Sequence, residues 1–121
     1  MAQSTERFLY KILTSKPPMP IPRDLTSLDA SDGFIHLSTA SQTPGTAARF
    51  FALETKLWLV KVDRTKLEAG PGELRWEEAS SGVFAHLYGA DISESAIVDV
   101  TEQTRSEGED WQEVLRSLMD V

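Results

Sequence analysis

The sequence predicts an α+β fold, on three observations. Several short segments alternate their side chains with the period of a strand, and two other stretches space apolar residues as a helix does. The helical stretches do not alternate regularly with the strands, as they would in a doubly wound parallel sheet. The chain also lacks a glycine-rich strand-to-helix turn and a G-x-x-x-x-G-K loop, the phosphate-binding signatures of that other architecture. At 121 residues, 40% hydrophobic and 26% charged, the chain can bury a core without disulfides or a structural metal. One domain over 1–121 is therefore expected, with its core at about 8–100.

Phe8 to Leu13 sets Phe8, Tyr10 and Ile12 against Leu9, Lys11 and Leu13 and reads as a first strand. Pro17, Pro18, Pro20 and Pro22 then remove backbone donors, which predicts an ordered or semi-rigid loop over 15–23. After the Asp32-Gly33 turn signal, Phe34 to Thr39 reads as a second strand, with Phe34, His36 and Ser38 on one face. Thr43 and Pro44 resemble an N-cap and a first-turn proline, opening a short helix whose apolar stripe runs to about Leu53. Lys56 to Asp63 is mostly apolar on both faces, as a central strand is. Beyond the Gly70-Pro71-Gly72 turn, Glu73 to Glu77 and Val83 to Tyr88 suggest a hairpin around Ser80-Ser81-Gly82, and Ala96 to Val100 a further strand. Over about 109–119, Trp111, Val114, Leu115 and Leu118 recur at helical spacing. This predicts an acidic amphipathic helix, capped by Glu109 or Asp110, that docks on the domain.

Composition excludes whole classes of chemistry. Without cysteine there is no thiol nucleophile, Cys-ligated zinc, iron–sulfur cluster or redox dithiol. The longest apolar runs, Phe50 to Leu53 and Leu57 to Val60, fall far short of the ~20 residues that cross a bilayer. Met1 to Thr14 interleaves Glu6, Arg7 and Lys11 with its apolar residues, so a secretory signal is not expected and a cytoplasmic protein is. A net charge of −7 argues against general nucleic-acid binding, although much of the acidity falls late, between Glu102 and Asp120.

The two histidines share one context, Phe34-Ile-His36-Leu and Phe84-Ala-His86-Leu. In a strand each shares its face with the preceding aromatic and with a hydroxyl two residues on, Ser38 or Tyr88. Two readings stand: half-buried histidines bonded within a sheet, or matched faces of one site on neighbouring or facing strands. Glu77 and Glu78 follow Arg75-Trp76 and read either as an exposed hairpin end or as a carboxylate partly desolvated beside an indole, whose raised pKa readies it for proton transfer. Arg49 on the short helix reads as a surface cation or an anion anchor. No metal is expected, since H-x-x-x-H and H-E-x-x-H are absent, and no G-x-S-x-G elbow supports a serine hydrolase.

Asp32-Gly-Phe-Ile-His-Leu-Ser-Thr-Ala40, Pro44-Gly-Thr-Ala-Ala-Arg-Phe-Phe51, Leu74-Arg-Trp-Glu77 and His86-Leu-Tyr-Gly89 resemble the successive motifs of domain-of-unknown-function family 952, with Ala85 where proline is expected. That family is similar in turn to the ADP-ribosyltransferase superfamily, RNA 2′-phosphotransferases included, whose first core strand carries H-x-[ST]. The resemblance implies split antiparallel sheets with an NAD-binding cleft between them, a short helix after the second strand and a C-terminal helix. It implies that His36 holds the nicotinamide ribose and that Ser38 is the small hydroxyl residue after it. His86 and Tyr88 would contact ribose or phosphate and offer a stacking platform, with Glu77 the candidate catalytic carboxylate. The implied catalytic set is His36, Glu77 and His86, and the cofactor-binding set His36, Ser38, Arg75 and Tyr88, with NAD as substrate. The function so implied is nucleotide binding with ADP-ribosyl or 2′-phosphate transfer. Its alternative is a non-catalytic ligand-binding, regulatory or protein-interaction module on the same fold.

Overall fold

In the computed structural model, which describes residues 6–79 and 82–117, the strands are Phe8–Leu13 (β1), Ile35–Thr39 (β2), Lys56–Asp63 (β3), Glu73–Ala79 (β4), Gly82–Tyr88 (β5) and Ile97–Thr104 (β6). The helices are Ser27–Asp32 (α1), Thr43–Phe50 (α2), Arg64–Ala69 (α3) and Trp111–Val114 (α4). All six strands join one antiparallel sheet in the order β4-β5-β2-β1-β3-β6, rather than the two split sheets that the resemblance implies, because β1 and β2 pair across the middle. β3 lies between β1 and β6 and gives Val60 and Val62 to one apolar cluster and Leu57 and Leu59 to the other, which accounts for its two covered faces. β6 runs on to Thr104, beyond the expected Val100, because it pairs along β3 as far as Lys56↔Thr104.

The middle of the sheet is narrow. β1 pairs with β3 over six positions, from Phe8↔Asp63 to Leu13↔Trp58, but with β2 only at Leu9↔Thr39 and Tyr10↔Ser38. Past Tyr10 the ladder between β1 and β2 ends, and a side chain of α1 reaches into the gap. Strand alternation supplies an apolar cluster to each face. Leu9, Leu13, Ile35, Leu37, Val60 and Val62 belong to the larger one, which the proline-rich loop helps to close. Ile21 in that loop is fully buried and exchanges backbone hydrogen bonds with Ile92 at 3.0 and 2.9 Å. Ile12, Leu57 and Leu59 meet Ala47 of α2 and Trp111 and Leu115 at the chain's end on the other face.

Two short helices were not foreseen. Thr26 caps α1 through its hydroxyl, which accepts from Asp29 N–H at 3.1 Å, and Gly33 ends the helix at φ 82°, a left-handed position that glycine adopts without steric cost. Asp63 caps α3 in the same way, accepting from Lys66 N–H at 3.1 Å. α2 differs from expectation at both ends. Gln42 holds the N-cap position, while Thr43 is inside the helix and donates its hydroxyl to Thr39 C=O at 2.7 Å. The helix stops at Phe50 rather than Leu53 because carbonyls just beyond it have partners elsewhere: Arg105 donates to Ala52 and Glu54, and the Trp111 indole to Phe51 and Glu54. At the tail Asp110 is the cap, accepting from Gln112 N–H at 2.8 Å, whereas Glu109 accepts from Ser106 N–H. Trp111 and Leu115 pack in the second cluster, the regular helix spans Trp111–Val114 rather than about 109–119, and Leu118 lies outside the described residues. So do Ser80 and Ser81, on which the expected turn between β4 and β5 falls. Among the described residues no helix is long and apolar enough to cross a membrane.

Candidate functional site

His36 and His86 face each other directly across β2 and β5, their ring centroids 5.2 Å apart and their planes at 67°. Phe34 lies against both, at 4.6 and 4.2 Å. The repeated sequence context thus becomes a single pair in the sheet. Each ring is held at Nδ1 by a carboxylate oxygen 2.7 Å away, Asp29 Oδ1 for His36 and Glu77 Oε1 for His86. Glu77 reaches His86 because β4 and β5 place Arg75 opposite His86 and Glu77 opposite Phe84, a diagonal on one face of the sheet. The Tyr88 hydroxyl donates to the same Glu77 oxygen at 2.7 Å, and Arg75 lies over the Tyr88 ring at 4.2 Å while pairing with Glu73. With the Tyr88 hydroxyl and His86 ring on it, the Glu77 carboxyl is held below its ordinary range, and the carboxylate in turn raises the Tyr88 phenol.

Asp29 occupies the opening between β1 and β2. It is 2% exposed and holds three donors: the His36 ring, the His36 backbone N–H at 3.3 Å, and Lys11 Nζ from β1. A carboxylate can accept that many bonds, and here it binds groups from both strands where their own ladder has stopped. Burial would push the Asp29 carboxyl up, but the His36 hydrogen bond and Lys11 outweigh it and hold it below its ordinary value. Burial lowers the Lys11 ammonium, against the pull of Asp29. The second His36 nitrogen, Nε2, meets the half-exposed Asp32 Oδ2 at 3.0 Å.

A cleft of about 590 Å³ opens on this pair. Lys11, Asp29, His36, Ser38 and His86 line its polar part, and Tyr10, Leu28, Phe50, Phe51 and Phe84 much of its apolar part. Of the residues singled out from the sequence, His36, Ser38 and His86 therefore line one cleft. Glu77 and Tyr88 bear on it through His86, and Arg75 lies farther out on Tyr88. Arg49 is exposed near the Phe50 ring. Asp29, Asp32 and Lys11 were missed. Their signals were the Thr26-x-x-Asp29 capping pattern and a lysine in the middle of an otherwise apolar strand, which requires a partner if buried.

Fold and site define a small α+β domain with a cleft where its antiparallel sheet narrows, walled by two carboxylate-held histidines. The chain belongs to a family of proteins of unknown function, DUF952, whose profile matches residues 19–100. That span holds the whole constellation except Lys11. The chain is similar to protein CC0527 from Caulobacter crescentus, an X-ray structure from the Northeast Structural Genomics Consortium, at 28% identity and TM-score 0.66, over 82% of this chain and 88% of that one. The structure of a double mutant of the same protein is similar at 26% identity and TM-score 0.66, with the same coverage. None of the curated proteins compared matches the chain.

Proposed function

We propose that the cleft binds a nucleotide of the NAD type on an ADP-ribosyltransferase-like fold, with ADP-ribosyl or 2′-phosphate transfer as its chemistry. The observation that carries this reading is the facing pair His36 and His86, each fixed at Nδ1 by a carboxylate 2.7 Å away, at the wall of a cleft of about 590 Å³. That volume is within the usual range for small-ligand sites. Phe50, Phe51 and Phe84 give an apolar surface for a flat ring, while Ser38 and the edge of the His36 ring, where a ribose hydroxyl would compete with the exposed Asp32, offer polar contacts. Asp29, Asp32 and Glu77 place negative charge around the pair, which favours the cation-like ribosyl centre that forms as the bond to nicotinamide breaks. Tyr88, with Arg75 over its ring, supplies a platform at the outer end.

Calorimetric titration of the full chain with NAD and with ADP-ribose tests the binding, and chromatography of the same mixtures for free nicotinamide tests the transfer. Saturable binding of either nucleotide supports the site. If neither binds, the nucleotide reading is wrong. Binding without nicotinamide release would make the domain a non-catalytic ligand-binding module.

A further inference from the structure

The two histidines face one cleft but are bonded differently. His36 has a carboxylate near each nitrogen, Asp29 hydrogen-bonded at Nδ1 and Asp32 3.0 Å from Nε2. Among the described residues His86 is engaged at Nδ1 alone, where Glu77 is an acceptor already holding the Tyr88 hydroxyl. Nδ1 must then carry the hydrogen, which leaves the lone pair on Nε2. His86 lines the cleft, and its Nε2 is not among the enclosed, unpartnered polar atoms of the described residues. Phe34 at 4.2 Å holds the ring's attitude.

We infer that His86 Nε2 is the general base of the site, with Glu77 its positioning residue, and that the group it serves is a hydroxyl acceptor. This rests on the nucleotide-transfer reading above. A carboxylate or phosphate acceptor is already ionised at neutral pH and needs no base, whereas an alcohol, a sugar hydroxyl or water must lose a proton as it attacks. The step balances. The bond from ribose C1′ to the nicotinamide nitrogen breaks and its electron pair leaves with nicotinamide, which departs neutral. A lone pair of the acceptor oxygen forms the new bond to C1′, the O–H bond breaks with its electrons kept by oxygen, and the proton passes to His86 Nε2. Glu77 then faces a charged imidazole and stabilises it from Nδ1.

The probe is NAD with methanol as hydroxyl acceptor and acetate as ionised acceptor. Methyl ADP-riboside should form in proportion to methanol, faster as pH rises, while acetate adds nothing. H86A and H86Q should lower nicotinamide release by about 10²–10⁴-fold, the usual contribution of general acid–base catalysis, with NAD affinity by calorimetry changed less than about threefold. E77Q should lower release less, and nitrogen-15 NMR of the His86 ring should show the hydrogen no longer confined to Nδ1. Release that is insensitive to pH and to both His86 variants would overturn the assignment, as would an E77Q ring unchanged in tautomer. Acceleration by acetate equal to that by methanol would overturn the acceptor class. NAD bound with no release refutes this proposal and leaves nucleotide binding standing, whereas absence of NAD and ADP-ribose binding removes both.

Discussion

Substituting Asp29 by asparagine tests the idea that a buried ion pair bridges the opening in the sheet. Asp29 is 2% exposed and Lys11 5%, so neither charge can turn to water when the other is removed. D29N leaves the Lys11 ammonium facing an amide, and K11M leaves the carboxylate with only His36 donors. Breaking a buried pair from one side costs about 3–5 kcal/mol, against a total of about 5–15 kcal/mol for an ordinary domain. For a chain of this length each kcal/mol lowers Tm by roughly 4 °C, so each single variant should melt about 12–20 °C below wild type. The double variant removes both charges while the methionine keeps most of the lysine stem's apolar contact. It should recover about half of the summed loss, giving a favourable coupling of about 3–5 kcal/mol in a double-mutant cycle. Scanning calorimetry on the four proteins measures it. Single variants within about 1 kcal/mol of wild type, and additive in the double, would show that the pair is effectively hydrated and does not join β1 to β2.

Because the folded-state Asp29 carboxyl lies below its ordinary value, the unfolded chain takes up the proton first as pH falls. Its stabilisation is then complete above about pH 4, the ordinary carboxylate range, and is lost as pH drops from there through the folded value. Thermal melts from pH 5 to 2 should fall more steeply for wild type than for D29N, and equal slopes would refute the linkage. His36→Ala should weaken NAD binding at least tenfold and also cost about 1–3 kcal/mol, since Asp29 and Asp32 lose a donor; unchanged calorimetric affinity would remove His36 from the site. Trp111→Ala should cost about 3–5 kcal/mol in urea denaturation, as the side chain is 1% exposed and its indole ties Phe51 and Glu54. Deleting everything from Gly108 onward should cost at least as much, and unchanged melting would show that the end of the chain does not stabilise the domain.

What could be read from the sequence depended on how local its cause was. β1 and β3 were legible residue for residue because each keeps a strand's alternation over its full length and is hemmed by defined turns or loops. The matched contexts of His36 and His86 pointed to equivalent strand faces, and the β2–β5 register then made them direct neighbours. α1 and α3 escaped because six residues make fewer than two turns, too few for an apolar stripe, and only their caps, Thr26 and Asp63, marked them. Asp29 escaped for a different reason. Its role depends on the order of strands in the sheet, which brings Lys11 and His36 to either side of a gap that no single segment reveals. The clue was Lys11 itself. A lysine at the centre of a buried strand must find its counter-charge, and neighbouring backbone cannot supply one. Only where the ladder stops can a side chain from outside the sheet reach it, so the residue that breaks the strand's apolar pattern also marks where the sheet opens and where the cleft forms.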